Sequence, residues 1–249
     1  MNPPRDRDGR LGVGIIGAGH VGPVLGAALA GAGHALVGIS AISEASRERA
    51  QAMLPGVPIM EVSRLVELSE LVLIAVPDDQ LPTLIAGLAL AGTWQPGQIV
   101  AHTSAQYGTG VLAPAIAAGV IPLALHPAMS FTGTSIDLAR LSECYIAVTA
   151  PRPVLPIAQA LAVEMGGEPI VIAESKRADY AEAIAAASQF SAAIVEQSTE
   201  ILASIGIDRP GRILAPLIRS AVDNALTARG DIAGIDISGL SFPELEGEI

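Results

Sequence analysis

The run Gly17-Ala18-Gly19-His20-Val21-Gly22 is the part of this sequence whose residue types and spacing most directly imply chemistry. A glycine at its first place permits a tight turn. One at its third lets an anion approach bare backbone, and one at its sixth lets a helix pack close against a strand. The reading requires a strand before the run and a helix after it. Gly12 to Ile16 reads as a buried strand, and His20 to Ala32 as a helix stopped at Gly33. N–H groups at that helix start would face a phosphate. The expected ligand is therefore a dinucleotide, with Gly17, Gly19, His20, Val21 and Gly22 at its pyrophosphate. An ordinary glycine-rich turn is the alternative.

Sites for NAD carry an acid about 20 residues further on, at the end of the second strand, to hold the ribose hydroxyls. Here Ile39-Ser40-Ala41-Ile42-Ser43 fills that place, with no acid to repel a 2′-phosphate. Ser40 and Ser43 offer hydroxyls, and Arg47 stands one helical turn past Ser43. This favours NADP over NAD as the cofactor. Ser43 also reads as a plain helix N-cap, and Arg47 as part of a solvated helix face.

Three further loops follow strand-like runs, where ligands bind in open α/β sheets. They begin at Val76-Pro77, at His102-Thr103-Ser104 and at His126-Pro127. Residues 80–136 contain no Asp, Glu, Lys or Arg. Proton transfer there would fall to His102, His126 or a hydroxyl such as Ser104. A histidine at a strand end is also commonly structural. The four histidines are scattered and lack carboxylates at ligand spacing, so no metal site is expected. No GxSxG nucleophile elbow is present.

The elements that must position these residues follow from the pattern. Short apolar runs alternate with Ala-rich helical stretches, which predicts an α/β fold with a doubly wound, mostly parallel sheet. Further strands are expected at 35–40, 59–60, 71–76, 99–102, 121–125, 145–149 and 169–172. Helices are expected at 43–53, 81–91, around 109–118 and at 154–165. From Lys176 to Ile205 there is no Gly or Pro. Ile184, Ala187, Ser191, Ile194, Ser198, Ile201 and Ile205 recur there at spacings of three and four, one stripe of a long helix. A second helix is expected near 212–228. The expected organisation is a disordered leader at 1–10, a dinucleotide-binding domain at 11–175 and a smaller all-helical domain at 176–249.

Composition narrows the class. Of 249 residues, 51% are apolar and only 16% charged, which excludes disorder over most of the chain. A net charge of −11 with 3% aromatics excludes a nucleic-acid footprint. The mean hydropathy of +0.51 raises the question of a membrane. Residues 11–43, like 80–136, carry no Asp, Glu, Lys or Arg, but Gly, Pro, Ser, Thr and His interrupt both stretches too often for a spanning helix. A signal peptide over residues 5–35 fits poorly for the same reason. The single Cys144 suits a reducing cytoplasm.

Taken together, GAGHVGPVLGAAL, LVLIAVPDDQL, IVAHTSA, IPLALHPAMSFTG and MGGEPIVI resemble the bacterial Rossmann-like proteins with a DUF2520 C-terminal domain, the actinobacterial branch especially. These are relatives of the 6-phosphogluconate dehydrogenase-like superfamily, beside ketopantoate reductase, pyrroline-5-carboxylate reductase and prephenate dehydrogenase. The resemblance covers residues 11–226 and implies an NAD(P)-dependent oxidoreductase. It implies that Val76 and Pro77 pack beside the cofactor and that Thr103 and Ser104 line the nicotinamide pocket. His126 matches a loop whose histidine acts near substrate in prephenate dehydrogenases. Arg177 and Tyr180 match an R-x-x-Y at the start of the helical domain. There Arg177 would hold a substrate carboxylate or make an interdomain ion pair.

The sequence departs from that pattern in places. Ala181 replaces a usual His, Ser188-Gln189 a Ser-Asn, and Ile42 an Arg often found after the second strand. The helical region after Asn224-Ala225-Leu226 reads as shortened. The expectation is a cytoplasmic, NADP-preferring oxidoreductase. It would pass hydride between the nicotinamide and a small carbonyl, imine or hydroxy acid, and dimerise through helix 176–205, without nucleic acid or membrane. The alternative is a dinucleotide-binding sensor or decayed paralogue without catalysis.

Overall fold

The computed structural model describes residues 10–229. Seven strands form one sheet: β1 (Gly12–Ile16), β2 (Ala35–Ser40), β3 (Leu71–Ile74), β4 (Ile99–His102), β5 (Ile121–Pro127), β6 (Tyr145–Thr149) and β7 (Glu168–Val171). Their order across the sheet is β2-β1-β3-β4-β5-β6-β7. The first five run parallel. Strand β6 is antiparallel to β5, and β7 is parallel to β6. The helices are α1 (Gly22–Gly31), α2 (Glu44–Met53), α3 (Val62–Leu68), α4 (Leu81–Leu90), α5 (Ala113–Ile116), α6 (Ile136–Leu141), α7 (Leu155–Glu164), α8 (Arg177–Ser204) and α9 (Pro210–Arg229). This is the Rossmann-type architecture that the alternation of strand and helix predicts, followed by a helical region.

Alternation along the strands divides the core between the two faces of the sheet. Leu71 and Leu73 of β3 point to one side, with Val24, Leu25 and Leu29 of α1 and Leu161 of α7. Val72 and Ile74 point to the other, with Leu65 of α3 and Leu81, Ile85 and Leu88 of α4. Burying each such side chain contributes about 1.5–3 kcal/mol. Both faces being covered, the inner strands read as unbroken apolar runs.

From β1 the chain crosses to β2 on one side, then returns to β3 on the other. The carboxyl ends of β1 and β3 therefore flank a topological switch point.

Ser43 caps α2, its hydroxyl accepting the Ser46 N–H at 3.2 Å. The strand expected at Ile59-Met60 is reduced to a single bridge between Ile59 and Ile39. Pro58, which has no N–H, precedes it, and α3 starts two residues after Met60. Helix α3 and helix α6 are too short to give a clear period in sequence. Helix α1 starts at Gly22, later than expected, so His20 and Val21 remain in the turn before it. Strand β5 runs on to Pro127, past the expected end at Leu125, because β6 pairs with its last four residues. His126 thus lies in a strand rather than in a loop. The stretch at 109–118 is a 3-10 turn, Thr109–Leu112, followed by the single turn of α5.

The chain divides into two compact units, Met1–Ala186 and Ala187–Ile249, with the division inside α8. The expected leader and the last 20 residues lie outside the described residues, except Arg10. Its guanidinium pairs with Glu164 at 2.7 Å. Among the described residues no helix is long and apolar enough to cross a membrane.

Candidate active site

The glycine turn leaves β1 at the switch point. Gly17 has φ +101°, and a Cβ there would run into the Ala75 carbonyl oxygen. A Cβ on Gly22 would meet the Gly17 carbonyl oxygen. These two positions admit only glycine, which fixes the turn close against β3 and its continuation. Gly19 differs: nothing stands within 4 Å of where its Cβ would be. An exposed turn with open space at its tip, ahead of a helix start, fits a pyrophosphate. Ser40, at the end of β2, is buried and accepts the Gly17 N–H at 3.2 Å. It therefore braces the turn. Val76 packs beside the turn as well, 3.3 Å from the same Gly17 Cβ position, and Pro77 follows it exposed.

Two residues that the sequence did not single out stand at this turn. Arg49 of α2 donates from Nη1 to the Ala18 carbonyl at 3.1 Å. Gly133, at φ +76°, lies against the His20 ring and the Arg49 side chain, 2.8 and 2.9 Å from its Cβ position. Arg47 is exposed, and among the described residues no hydrogen bond or ion pair joins its side chain to the turn. The loop bearing Gly133 is held by Asp137, wholly buried in α6. Its carboxylate accepts the N–H groups of Thr132 and Gly133 at 2.7 and 2.8 Å and the Thr132 hydroxyl at 3.0 Å. Burial pushes its pKa up, but these hydrogen bonds outweigh burial and hold it below the usual carboxylate range.

At the end of β4, His102 is completely buried. Its Nδ1 accepts the Ser104 N–H at 3.3 Å and its Nε2 lies 2.9 Å from the Gly108 carbonyl. This pairing requires the neutral ring with hydrogen on Nε2. Burial, with a smaller push from the Arg177 charge, lowers its pKa to about 4. Neither nitrogen remains for a substrate. The buried Ser104 hydroxyl accepts the N–H groups of Gln106 and Tyr107 at 3.1 and 3.2 Å. Thr103 returns its N–H to the Ile74 carbonyl at 3.1 Å, so its half-buried side chain sits between the ends of β3 and β4.

At the end of β5 the arrangement is different. His126 Nδ1 lies 2.8 Å from the Tyr180 hydroxyl, and the rings meet edge to face with centroids 5.6 Å apart. Burial, then the Arg177 and His102 charges, lower the His126 pKa to about 4. At neutral pH the His126 ring is then neutral. The Tyr180 phenol is pushed up to about 12, burial outweighing the opposing pull of Arg177.

Arg177 begins α8 and is 2% exposed. Nε donates to the Thr149 hydroxyl at 2.7 Å, and Nη2 donates to the carbonyls of Ala124 and Ala147 at 3.1 and 3.0 Å. A longer contact of 3.5 Å runs from Nη1 to the Ser104 carbonyl. All four acceptors are neutral oxygens, and no ion pair is made to Arg177 among the described residues. The interdomain ion pair considered from the sequence is therefore replaced by a buried cation among main-chain dipoles. Its guanidinium carbon lies 5.8 Å from the Tyr180 ring centroid. Glu174, three residues earlier, accepts the N–H groups of Thr109 and Gly110 at 2.8 and 2.9 Å. The segment 174–180 thus secures the loop after β4, the β5–β6 pair and the phenol.

The structure brings His126, Tyr180 and Arg177 together, with Ser104 and His102 behind them. Gly17 to Gly22, Ser40 and Val76 gather at the neighbouring switch point. Among the described residues no group of three or more His, Cys, Asp or Glu could hold a metal ion.

Residues 2–127 match the Rossmann-like domain family, and residues 144–234 match the domain of unknown function DUF2520. No curated protein matches the sequence. Solved structures share the fold at low identity. A Thermotoga maritima protein is 21% identical, with TM-score 0.67, over 89% of this chain and 83% of its own. An imine reductase from a Pseudomonas species is 16% identical, with TM-score 0.66, over 89% and 77%. A Plasmodium falciparum pyrroline carboxylate reductase with NADP bound is 12% identical, with TM-score 0.61, over 92% and 87%.

Proposed function

The chain belongs to the family that joins a Rossmann-like domain to a DUF2520 domain, and from that premise we propose that it is an NADP-preferring oxidoreductase acting on a small carbonyl, imine or hydroxy compound. The observation that carries this reading is the glycine turn at the β1–β3 switch point, open in front of Gly19. Gly17, Gly19, His20, Val21 and Gly22 would hold the pyrophosphate, with Ser40 bracing the turn. Ser43 and the arginines of α2, Arg49 nearer the turn than Arg47, would favour a 2′-phosphate. A bound nicotinamide supplies or takes the hydride. Thr103 and Ser104 would orient the reacting groups at the end of β4, and the His126–Tyr180 pair would handle the proton. With its donors committed to the Thr149 hydroxyl and to backbone carbonyls, Arg177 would act on substrate through its charge rather than by a bidentate grip.

The exposed apolar side chains of Phe190, Ile194 and Ile201 on α8 support dimerisation through helix 176–205. The neutral bonding of Arg177 also keeps a second reading open, a dinucleotide-binding protein without turnover. Titration of the purified protein with NADPH and NADH, read by the emission of the reduced nicotinamide, tests the proposal. NADPH should bind about tenfold tighter, roughly 1.4 kcal/mol. Equal affinities would remove the NADP preference. Failure of both to saturate would remove the cofactor site. Saturable binding without turnover on any carbonyl or imine would leave the second reading.

A further inference from the structure

Resting on the reading above, we propose that the compound reduced is a carbonyl rather than an imine, with the Tyr180 hydroxyl delivering a proton to its oxygen and His126 passing one back to Tyr180. The two substrate classes make opposite demands on a site. Reducing C=O requires a hydride at carbon and a proton at oxygen. An ordinary alkyl imine is already protonated near neutral pH, so hydride alone completes its reduction. As a cation, it also needs an anion nearby.

The residues at the ends of β4 and β5 meet the first demand and oppose the second. The full charge nearest the reacting pair is positive: Arg177, buried under Tyr180 and bonded only to neutral oxygens. Asp179, next to Tyr180 in sequence, is exposed and paired with Lys176 at 2.8 Å, Glu182 is exposed, and Glu174 is bonded to the Thr109 and Gly110 N–H groups. Asp78 and Asp79 follow β3. Among the described residues neither is joined to His126, Tyr180 or Arg177 by a hydrogen bond or ion pair. A cationic substrate would enter against Arg177, and among the described residues no carboxylate is bonded to Arg177, Tyr180 or His126 to hold it. Glu174 tempers the Arg177 charge only from the β4 loop. A carbonyl oxygen gathering negative charge would be stabilised by the same guanidinium.

The proton must come from a group that holds one at neutral pH. His126 is held neutral by burial and by Arg177. Tyr180 keeps its proton and touches His126 Nδ1 at 2.8 Å. The groups around the phenol are Arg177 on the same helix, His126 on β5 and the Cys144 thiol ahead of β6. In the step, the C4–H bond of the reduced nicotinamide breaks with its electron pair, and a C–H bond forms at the carbonyl carbon. The phenol O–H breaks as the alcohol O–H forms. Tyr180 regains a proton from His126 Nδ1 as His126 takes one from water at Nε2, leaving hydroxide to the bulk solvent and the nicotinamide oxidised. The sum is one hydride and one proton added to the carbonyl.

The test uses two matched pairs with NADPH: cyclopentanone against 1-pyrroline, and 2-oxopentanoate against 1-pyrroline-2-carboxylate. At least one ketone should be reduced with kcat/KM about tenfold or more above its imine partner. Tyr180→Phe keeps the ring against His126 and Arg177. It should cut ketone reduction by roughly 10²-fold, and leave NADPH affinity and any residual imine reduction unchanged. An ultraviolet difference titration, wild type against Tyr180→Phe, reads the phenol without turnover. Tyr180 should stay protonated past the usual tyrosine value near 10.

The proposal is overturned if an imine is reduced as well as its ketone partner, or if Tyr180→Phe slows both classes equally. It is overturned by a phenolate appearing below about pH 9, or by bound NADPH with neither ketone reduced. Failure to bind NADPH would instead strike the cofactor site first and take this proposal with it.

Discussion

The ends of β4 and β5 lie side by side in the sheet, and each carries a histidine, yet the two residues have opposite fates. His102 gives both ring nitrogens to the backbone of the loop that follows it. His126 gives its Nδ1 to a phenol from another element and remains partly exposed. The cause is the length of the strands. Strand β4 stops at His102, opposite Ala124, whereas β5 continues three residues further with only β6 beside it. The first histidine is roofed by its own loop, and the second stands above the end of its neighbour strand. A histidine at a strand end is thus a candidate for chemistry only where the strand outlasts its partner.

Substitution should separate the two histidines. His102→Ala leaves a cavity and strands two backbone groups, at a cost of about 3–5 kcal/mol. A lower urea midpoint at unchanged m value would register it. The same residue gives stability a pH dependence. Its folded pKa of about 4 lies below the ordinary histidine value of 6.5, so the unfolded chain binds the extra proton between them. Its contribution is therefore complete above about pH 6.5 and is lost as pH falls toward 4, up to about 3 kcal/mol. His126 adds to stability loss in the same direction. Urea midpoints of His102→Ala should consequently fall less steeply with acid than those of wild type.

His126→Ala should instead leave stability within about 1 kcal/mol and reduce turnover by roughly 10²-fold. Equal destabilisation by the two substitutions would erase the distinction drawn here. The smallest effect is expected from Glu174→Gln. It keeps an oxygen for the Thr109 or Gly110 N–H but loses the charge assistance, about 1 kcal/mol. A thermal melt would show it, and a shift as large as that of His102→Ala would mean that the carboxylate, not the histidine, holds the loop.

What was legible in the sequence depended on how far apart the participants lie. The glycine turn is carried by six consecutive residues and its flanking pattern, so its place follows directly, although the helix after it starts two residues later than that pattern suggests. The Ser43 cap and the long helix from 177 are local for the same reason. The His126–Tyr180 pair spans 54 residues, and nothing in either segment names the other. Arg49 escaped notice because it stands two residues past Arg47, and only the packing of α2 decides which of them reaches Ala18. Asp137 and Glu174 belong to no motif that the sequence offers. Their roles rest on backbone N–H groups, which carry no sequence signature. The antiparallel β6, which moves His126 into a strand, is set by chain direction, and composition is blind to that.

The span from Glu174 to Tyr180 holds an acid, a cation and a phenol, each gripping a different partner. Each residue along α8 turns the chain by about 100°. Inserting or deleting one residue after Glu174 would leave its carboxylate on the β4 loop but swing Arg177 and Tyr180 away together. The exposed Ala178 and Asp179 can change identity at little cost. The number of residues between them cannot change. Across sequences that keep this arrangement, the interval from 174 to 180 should therefore be free of gaps while its outward letters drift.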